Sequence, residues 1–239
     1  MTRRPPAGLT VATAIAFVIL VGLGVWQLQR LAWKRDLIQR IEASQTAPGQ
    51  PLGEVLRQGA AGEDVNYRKV VAVCPGLSTA PYVELYALMD GQMGSRLISA
   101  CKLEGGAPYG SILVDRGFVQ DIISARPPEQ PGDTRPIGVR GVLRAPEAPN
   151  RFAARDDPAH RRYFRRAVGP MAEKLGAANP APWFLMAETS SNPEWLALKP
   201  APVPVNVTNR HLEYALTWFG LAAVLLGVYA AMLRGRFKD

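Results

Sequence analysis

Leu9 to Leu28 reads LTVATAIAFVILVGLGVWQL, and no charged residue occurs from Pro5 to Gln29. Twenty residues at about 1.5 Å of rise each make a helix roughly 30 Å long, the thickness of a bilayer core. A second run, Tyr214 to Leu233 (YALTWFGLAAVLLGVYAAML), has the same length and is equally free of charge. Soluble core helices are rarely so long and so uniformly apolar. A cleavable signal peptide is the other reading of the first run, but its apolar core is too long and no clear small-x-small cleavage site precedes Trp26. The two runs therefore predict transmembrane helices at 9–30 and 210–233, tails at 1–8 and 234–239, and a middle segment at 31–209.

This division explains the composition of the 239-residue chain. Its mean hydropathy of −0.02 averages two membrane helices with a polar, proline-rich middle. The net charge of +8 comes from 28 Lys and Arg against 20 Asp and Glu. Arg3 and Arg4 contribute +2, and Arg234, Arg236 and Lys238 less Asp239 another +2. Half of the excess thus flanks the two spans, where it acts as a topology signal rather than a nucleic-acid footprint. By the positive-inside rule both termini are expected in the cytoplasm. Arg30, Lys34, Arg35 and Arg210 lie on the opposite flanks, but a long translocated segment weighs little in that rule. Trp26 and Trp33 bracket the outer end of the first span, and Tyr214, Trp218 and Phe219 lie in the outer part of the second, as an interfacial belt should.

The middle is long enough for one sizeable core and shows no internal repeat. Leu31 to Ala43 continues helically, with Trp33, Leu37, Ile38 and Ile41 on one face. Period-two alternation follows at Val83, Leu85, Ala87 and Met89, at Ile137, Val139 and Leu143, and at Val203, Val205 and Val207, the last interrupted by an edge-forming Pro204. Val70 to Val73, Leu97 to Leu103 and Ser111 to Val119 also read as strands, and a short helix fits Pro170 to Gly176. Proline-rich turns at 127–136, 146–149 and 180–182 separate them. The expected fold is a membrane-anchored α+β protein, with two transmembrane helices flanking an antiparallel β-rich extracytoplasmic domain.

Signs of chemistry are few. Cys74 and Cys101 are the only cysteines, not a CxxC pair; each falls on a candidate strand, which leaves a cross-strand disulfide and two buried thiols both open. Of two histidines, His160 lies in a basic loop and is expected in solvent. His211 lies at the outer mouth of the second span. At helical spacing His211, Tyr214, Ala215, Trp218, Phe219 and Ala222 share a face. A neutral imidazole is a good iron ligand, aromatics with small alanines suit a flat porphyrin, and Arg210 with Arg30 or Lys34 suits its propionates. An interfacial histidine in an aromatic belt is the simpler account of the same residues. The Arg161, Arg162, Arg165 and Arg166 cluster is expected to be a solvated loop or docking patch, and Asp115-Arg116-Gly117 a turn or strand-end ion pair. No GxSxG, HExxH or paired-carboxylate signature appears, so no enzyme is expected. Asn206-Val207-Thr208 fits a glycosylation triplet of a kind common by chance.

Four blocks in order give the chain a resemblance: LGVWQLQRLAWKRDLI (23–38), Tyr67-Arg68, LVDRGFV (113–119) and NRHLEYALTWFGLA (209–222). They resemble blocks of the Surfeit locus protein family, membrane factors of cytochrome c oxidase biogenesis. The resemblance implies an assembly factor that binds haem a and assists its insertion into oxidase subunit I. The implied partners are subunit I and the proteins that make or deliver haem a. A structural scaffold for an oxidase assembly intermediate, without haem, is the alternative. The resemblance puts the haem-iron ligand at His211. Trp218 and Tyr214 lie in the same block, while Trp26, Gln27 and Arg30 match the first block and would line the facing helix; Arg210 completes the set. Arg116 matches the third block as a structural residue. The sequence departs from the family at AHRRYFRRAVGPMA, with Tyr163 and Ala167 near an expected Trp and Asp, and at RLISACKL before the third block. The first span starts too early for a mitochondrial presequence rich in Arg and Ser, so a bacterial inner membrane is expected, with the central domain periplasmic.

Overall fold

The first helix, α1 (Ala7–Thr46), runs unbroken for 40 residues. Pro6 sits just ahead of it, where a missing N–H costs nothing, and its carbonyl accepts from the Thr10 N–H at 2.9 Å. Pro48 stands two residues past the end, and the α region is disfavoured for the residue before it. In this computed structural model, residues 6–105, 107–150, 154–200 and 209–238 are described, the side chains at 44, 45, 237 and 238 excepted. The expected strand at Val203, Val205 and Val207 and the triplet at 206–208 lie outside these residues. The chain forms two compact units, Met1–Arg40 with Val205–Asp239, and Ile41–Pro204.

The first unit pairs α1 with the last helix, α4 (His211–Lys238). Three contacts set an antiparallel register. Thr10 Oγ1 and Tyr229 Oη lie 2.5 Å apart at one end. Gln27 meets His211 at the other. Between them, a Cβ added at Gly24 would stand 2.6 Å from the Phe219 ring. Only glycine admits that ring, and Thr13, Ala215 and Ala222 are also buried, so small residues let the backbones approach. The outward faces are apolar and open: Val18, Leu216, Val224 and Val228 are 63–68% exposed. That excludes buried core helices. Ala7–Ala43 and His211–Arg236 are long and apolar enough to cross a membrane.

The second unit is an eight-stranded sheet with two short helices. Its elements are β1 (Gln50–Pro51), α2 (Leu52–Ala60), β2 (Lys69–Pro75), β3 (Tyr82–Met89), β4 (Gln92–Lys102), β5 (Ser111–Gln120), β6 (Pro136–Arg144), β7 (Arg162–Tyr163), α3 (Val168–Lys174) and β8 (Pro180–Ala187). The strand order is β1-β2-β6-β8-β5-β4-β3-β7. The expected β-rich α+β domain between two apolar helices is what forms, with one correction. The sheet is mixed: β2–β6, β3–β4, β4–β5 and β6–β8 are antiparallel, but β1–β2, β3–β7 and β5–β8 are parallel. The chain between β5 and β8 is long and includes α3, which is what a parallel pairing needs.

Side chains of β5 and β8 alternate between two cores. Ile112, Val114 and Leu185 enter a cluster with Leu52, Val55 and Leu56 of α2. Leu113 and Phe184 enter another with Met171 and Ala172 of α3. A strand covered on both faces reads as apolar without alternation, as ILV and FV do on either side of Asp115-Arg116-Gly117. The 180–182 stretch, expected as a turn, opens β8. Pro180 occupies the first strand position, and the β5–β8 register breaks between Ser111 and Leu113, leaving Pro182 out of the Cα pairs. On α1, Leu31 and Ile41 are buried but Trp33 is 51% exposed, so Trp33 is not on the covered stripe.

Cys74 on β2 and Cys101 on β4 form a disulfide with Cα atoms 5.3 Å apart. Three strands, β6, β8 and β5, lie between β2 and β4 in the sheet. Only a sheet curled round the α2 cluster brings them that close, and both cysteines belong to that cluster.

Candidate functional site

His211 opens α4, and Asn209 Oδ1 accepts from its backbone N–H at 3.5 Å. Its ring is held from the facing helix, where Gln27 Oε1 lies 2.6 Å from His211 Nδ1. An amide oxygen can only accept, so Nδ1 carries a proton, and in the neutral ring the lone pair then lies on Nε2. Among the described residues Nε2 has no hydrogen-bond partner. In its neutral form the ring thus presents one ligand nitrogen, at the mouth of an apolar hairpin. No group of three or more His, Cys, Asp or Glu side chains converges among the described residues, so a site built on several protein ligands is not present there. A single imidazole offered to the iron of a planar macrocycle fits what is there.

The other expected site residues fall around His211 unevenly. Trp218 and Phe219 are half-buried on the inner face of α4, with Ala215 and Ala222 fully covered. Tyr214 is 54% exposed and Trp26 53%, so both rings face outward rather than into the helix contact. Arg30 is turned to its own helix, its guanidinium 3.8 Å from the Trp33 ring centroid. Arg210 is exposed, and its carbonyl accepts the Tyr214 N–H at 3.2 Å in the first turn of α4. The residue that meets His211 is Gln27. Its signal was present: it falls one turn after Gly24 and one before Leu31, a lone amide on the buried stripe of an apolar helix.

The sheet unit holds its own polar centre, on the block LVDRGFV. Asp115 is fully buried in the middle of β5 rather than at a strand end, and Arg96 Nε donates to it at 2.6 Å and Arg166 at 3.4 Å. Arg166 also donates to Glu147 at 2.9 Å. The basic loop is therefore not uniformly solvated: Arg166 and Tyr163 are core residues, and Tyr163 Oη donates to the Pro170 carbonyl. Arg161 pairs with Glu129, while His160 stays in solvent beside Asp157 as expected.

Arg116 points the other way from Asp115 and is 1% exposed. It is bound by neutral oxygens: the Ser78 carbonyl at 2.7 Å, Ser191 Oγ at 3.2 Å, Ser99 Oγ at 3.3 Å and the Ala80 carbonyl at 3.4 Å. Burial pushes its guanidinium down to about 10, still charged at neutral pH. Gly117 follows at φ +130°, where a Cβ would stand 2.2 Å from the Lys199 carbonyl. That approach lets Phe118 and Lys199 exchange two backbone hydrogen bonds of 2.8 and 3.0 Å. Tyr67 has a left-handed backbone, φ 67°, and its ring lies under the Arg144 guanidinium at 4.4 Å. The matched blocks of the middle segment thus build the domain, and those on the two helices build the His211 site.

Comparison with known proteins agrees with this arrangement. The family model described as SURF1 family matches residues 14–223, from the first apolar helix into the second. The chain is 29% identical over 224 residues to Surfeit locus protein 1 of Homo sapiens, covering 86% of this chain and 71% of that protein. It is 28% identical over 236 residues to a SURF1-like protein of Rickettsia felis, covering 92% and 94%. A Caenorhabditis elegans SURF1-like protein is 26% identical over 235 residues, covering 87% and 69%. With two terminal apolar helices, a sheet domain between them and a family match over most of its length, this chain belongs to the SURF1 family.

Proposed function

We propose that the protein is a two-span membrane factor for cytochrome c oxidase assembly that binds haem a through His211 and assists its insertion into subunit I. It acts as a carrier rather than an enzyme. The observation that carries the reading is the His211 ring, with Nδ1 held by Gln27 and Nε2 without a hydrogen-bond partner among the described residues. Haem a is the cargo, and its iron is what a lone imidazole would bind. The face of α4 that continues from His211 carries Ala215, Trp218, Phe219 and Ala222, which suits a macrocycle with a long hydrophobic tail. One protein ligand rather than several suits cargo that must leave. Subunit I and the proteins that make or deliver haem a are the partners this reading requires.

The proposed location is a bacterial inner membrane, with both termini cytoplasmic and the sheet domain periplasmic. Two features support it: the basic residues beyond each span, and a disulfide in the sheet domain, since disulfides persist in oxidising compartments. The test is the visible spectrum of the protein purified in detergent from haem-a-producing cells. Wild type should carry haem, and His211→Ala should lose most of it. Equal haem content and an unchanged spectrum in the variant would remove the ligand assignment. Co-purification of haem-free protein with subunit I would favour the scaffold instead.

A further inference from the structure

We infer that Gln27 is a positioning residue for His211: its amide oxygen locks the imidazole in the Nδ1–H tautomer, aims Nε2 as the ligand atom, and keeps that ligand weak enough to release its cargo. The inference rests on the haem reading above and deepens it.

The geometry supplies each part. Gln27 and His211 lie on different helices, 184 residues apart in sequence. Their contact lies one turn from Gly24 on α1 and one turn from the buried Ala215 on α4. A glutamine in that position has its backbone fixed by the packing. At 2.6 Å the N–H···O contact is short, and both side chains are half-buried, so little water competes for it. The second hydrogen bond of a ligating histidine sets its tautomer, its ring orientation and its basicity. A carboxylate in this role would draw the Nδ1 proton and make Nε2 a stronger donor. A neutral amide orients the ring without that gain. For a protein that keeps its metal, the stronger partner is the better choice; for one that hands cargo on, the neutral partner is.

The experiment uses the full chain in detergent and three variants, Gln27→Leu, Gln27→Glu and His211→Ala. The first readout needs no haem: the ¹⁵N shifts of the His211 ring in the cargo-free protein. Wild type should show a single Nδ1–H tautomer, and Gln27→Leu should lose it. The second readout is the rate at which bound haem passes to excess apomyoglobin. Gln27→Leu should bind about 10-fold more weakly or worse and release faster, the usual size of such an outer-shell loss. Gln27→Glu should release more slowly than wild type and lower the reduction potential of the bound haem. Opposite effects from the two substitutions are not what a packing role produces. If both variants release haem like wild type while His211→Ala loses it, the Gln27 role is wrong and the haem reading stands. If His211→Ala changes nothing, both fall. A wild-type ring with no tautomer preference would also overturn the role of Gln27.

Discussion

Cys74 and Cys101 are bonded although three strands separate β2 from β4 in the sheet. The bond closes a loop with a sequence separation of 27 residues, which in the chain-entropy account stabilises the fold by about 3–4 kcal/mol. It also joins the two flanks of the curled sheet across the α2 cluster. Replacing both cysteines by alanine should therefore lower the melting temperature of the sheet domain by on the order of 10 °C. Circular-dichroism melts of wild type and double variant, with and without reductant, check this. Wild type in reductant should approach the variant. Identical melting of all four samples would show that the bond constrains nothing.

Arg116 holds four oxygen acceptors with no carboxylate among them. Removing it takes a donor from the Ala80 carbonyl and from the Ser99 and Ser191 hydroxyls, leaves the Ser78 carbonyl with Asn192 alone, and opens a cavity. Arg116→Ala should cost on the order of 3 kcal/mol, from the lost donor and the cavity together. Arg116→Lys should also destabilise, because three donors on a flexible stem cannot reproduce the guanidinium fork. Urea denaturation midpoints give the comparison. A midpoint within error of wild type for either variant contradicts a structural role.

Acid should weaken the domain through Glu84 and Asp133. Burial pushes Glu84 up, but hydrogen bonds from Arg126 and Ser95 outweigh it and hold the carboxyl below its usual range. Asp133 is held well below by hydrogen bonds from the Arg135 side chain and N–H and from the Thr79 hydroxyl. Both folded values are depressed, so the stabilisation is present above the unfolded values, about 4.3 and 3.9, and is lost as pH falls through the folded ones. Stability should be flat from pH 7 to about 5 and drop below that. The Glu84→Gln, Asp133→Asn double variant should show a shallower acid limb in unfolding measured at pH 6 and pH 3.5. An equally steep limb would assign the acid sensitivity elsewhere.

Gly117→Ala should break the seam between β5 and Lys199. Its φ of +130° is open to glycine, and the new methyl would overlap the Lys199 carbonyl. The Phe118–Lys199 bonds are then the ones lost, and we expect the 118 and 199 amides to exchange with solvent at least 10-fold faster, with the β3–β4 amides unchanged. Unaltered exchange at both positions would mean that the seam tolerates a side chain.

Much of the architecture was legible locally. An uncharged run of twenty residues leaves few alternatives in water, so both terminal helices follow from composition. Alternation at Val83 to Met89 and at Ile137 to Leu143 marked half-buried strands, which β3 and β6 are. β8 was not legible. Its prolines are turn signals on any local rule, and only the break in register opposite Ser111 to Leu113 makes room for them. α2 was missed although Leu52, Val55 and Leu56 carry helical spacing, because nine residues between turns give a weak pattern.

The candidate site divides the same way. His211 stands out in sequence, since imidazole is rare at the mouth of an apolar span. Helical spacing puts Tyr214 on its face, yet that ring is 54% exposed, as is Trp26 on α1 at 53%. Helical periodicity places residues on a face but does not say which face the partner helix covers.

By itself, then, the amino-acid sequence determined the two apolar helices, the β-rich middle, the topology signal at the ends and the histidine that could hold a metal. These depend on residues close in the chain, through hydrophobic length, period and charge. Tertiary structure alone decided that β5 and β8 run parallel, that Cys74 reaches Cys101, that Arg116 is cradled by neutral oxygens and that Gln27 holds His211. Each of these joins groups far apart in sequence, and their meeting depends on how packed elements align, a property no local pattern carries.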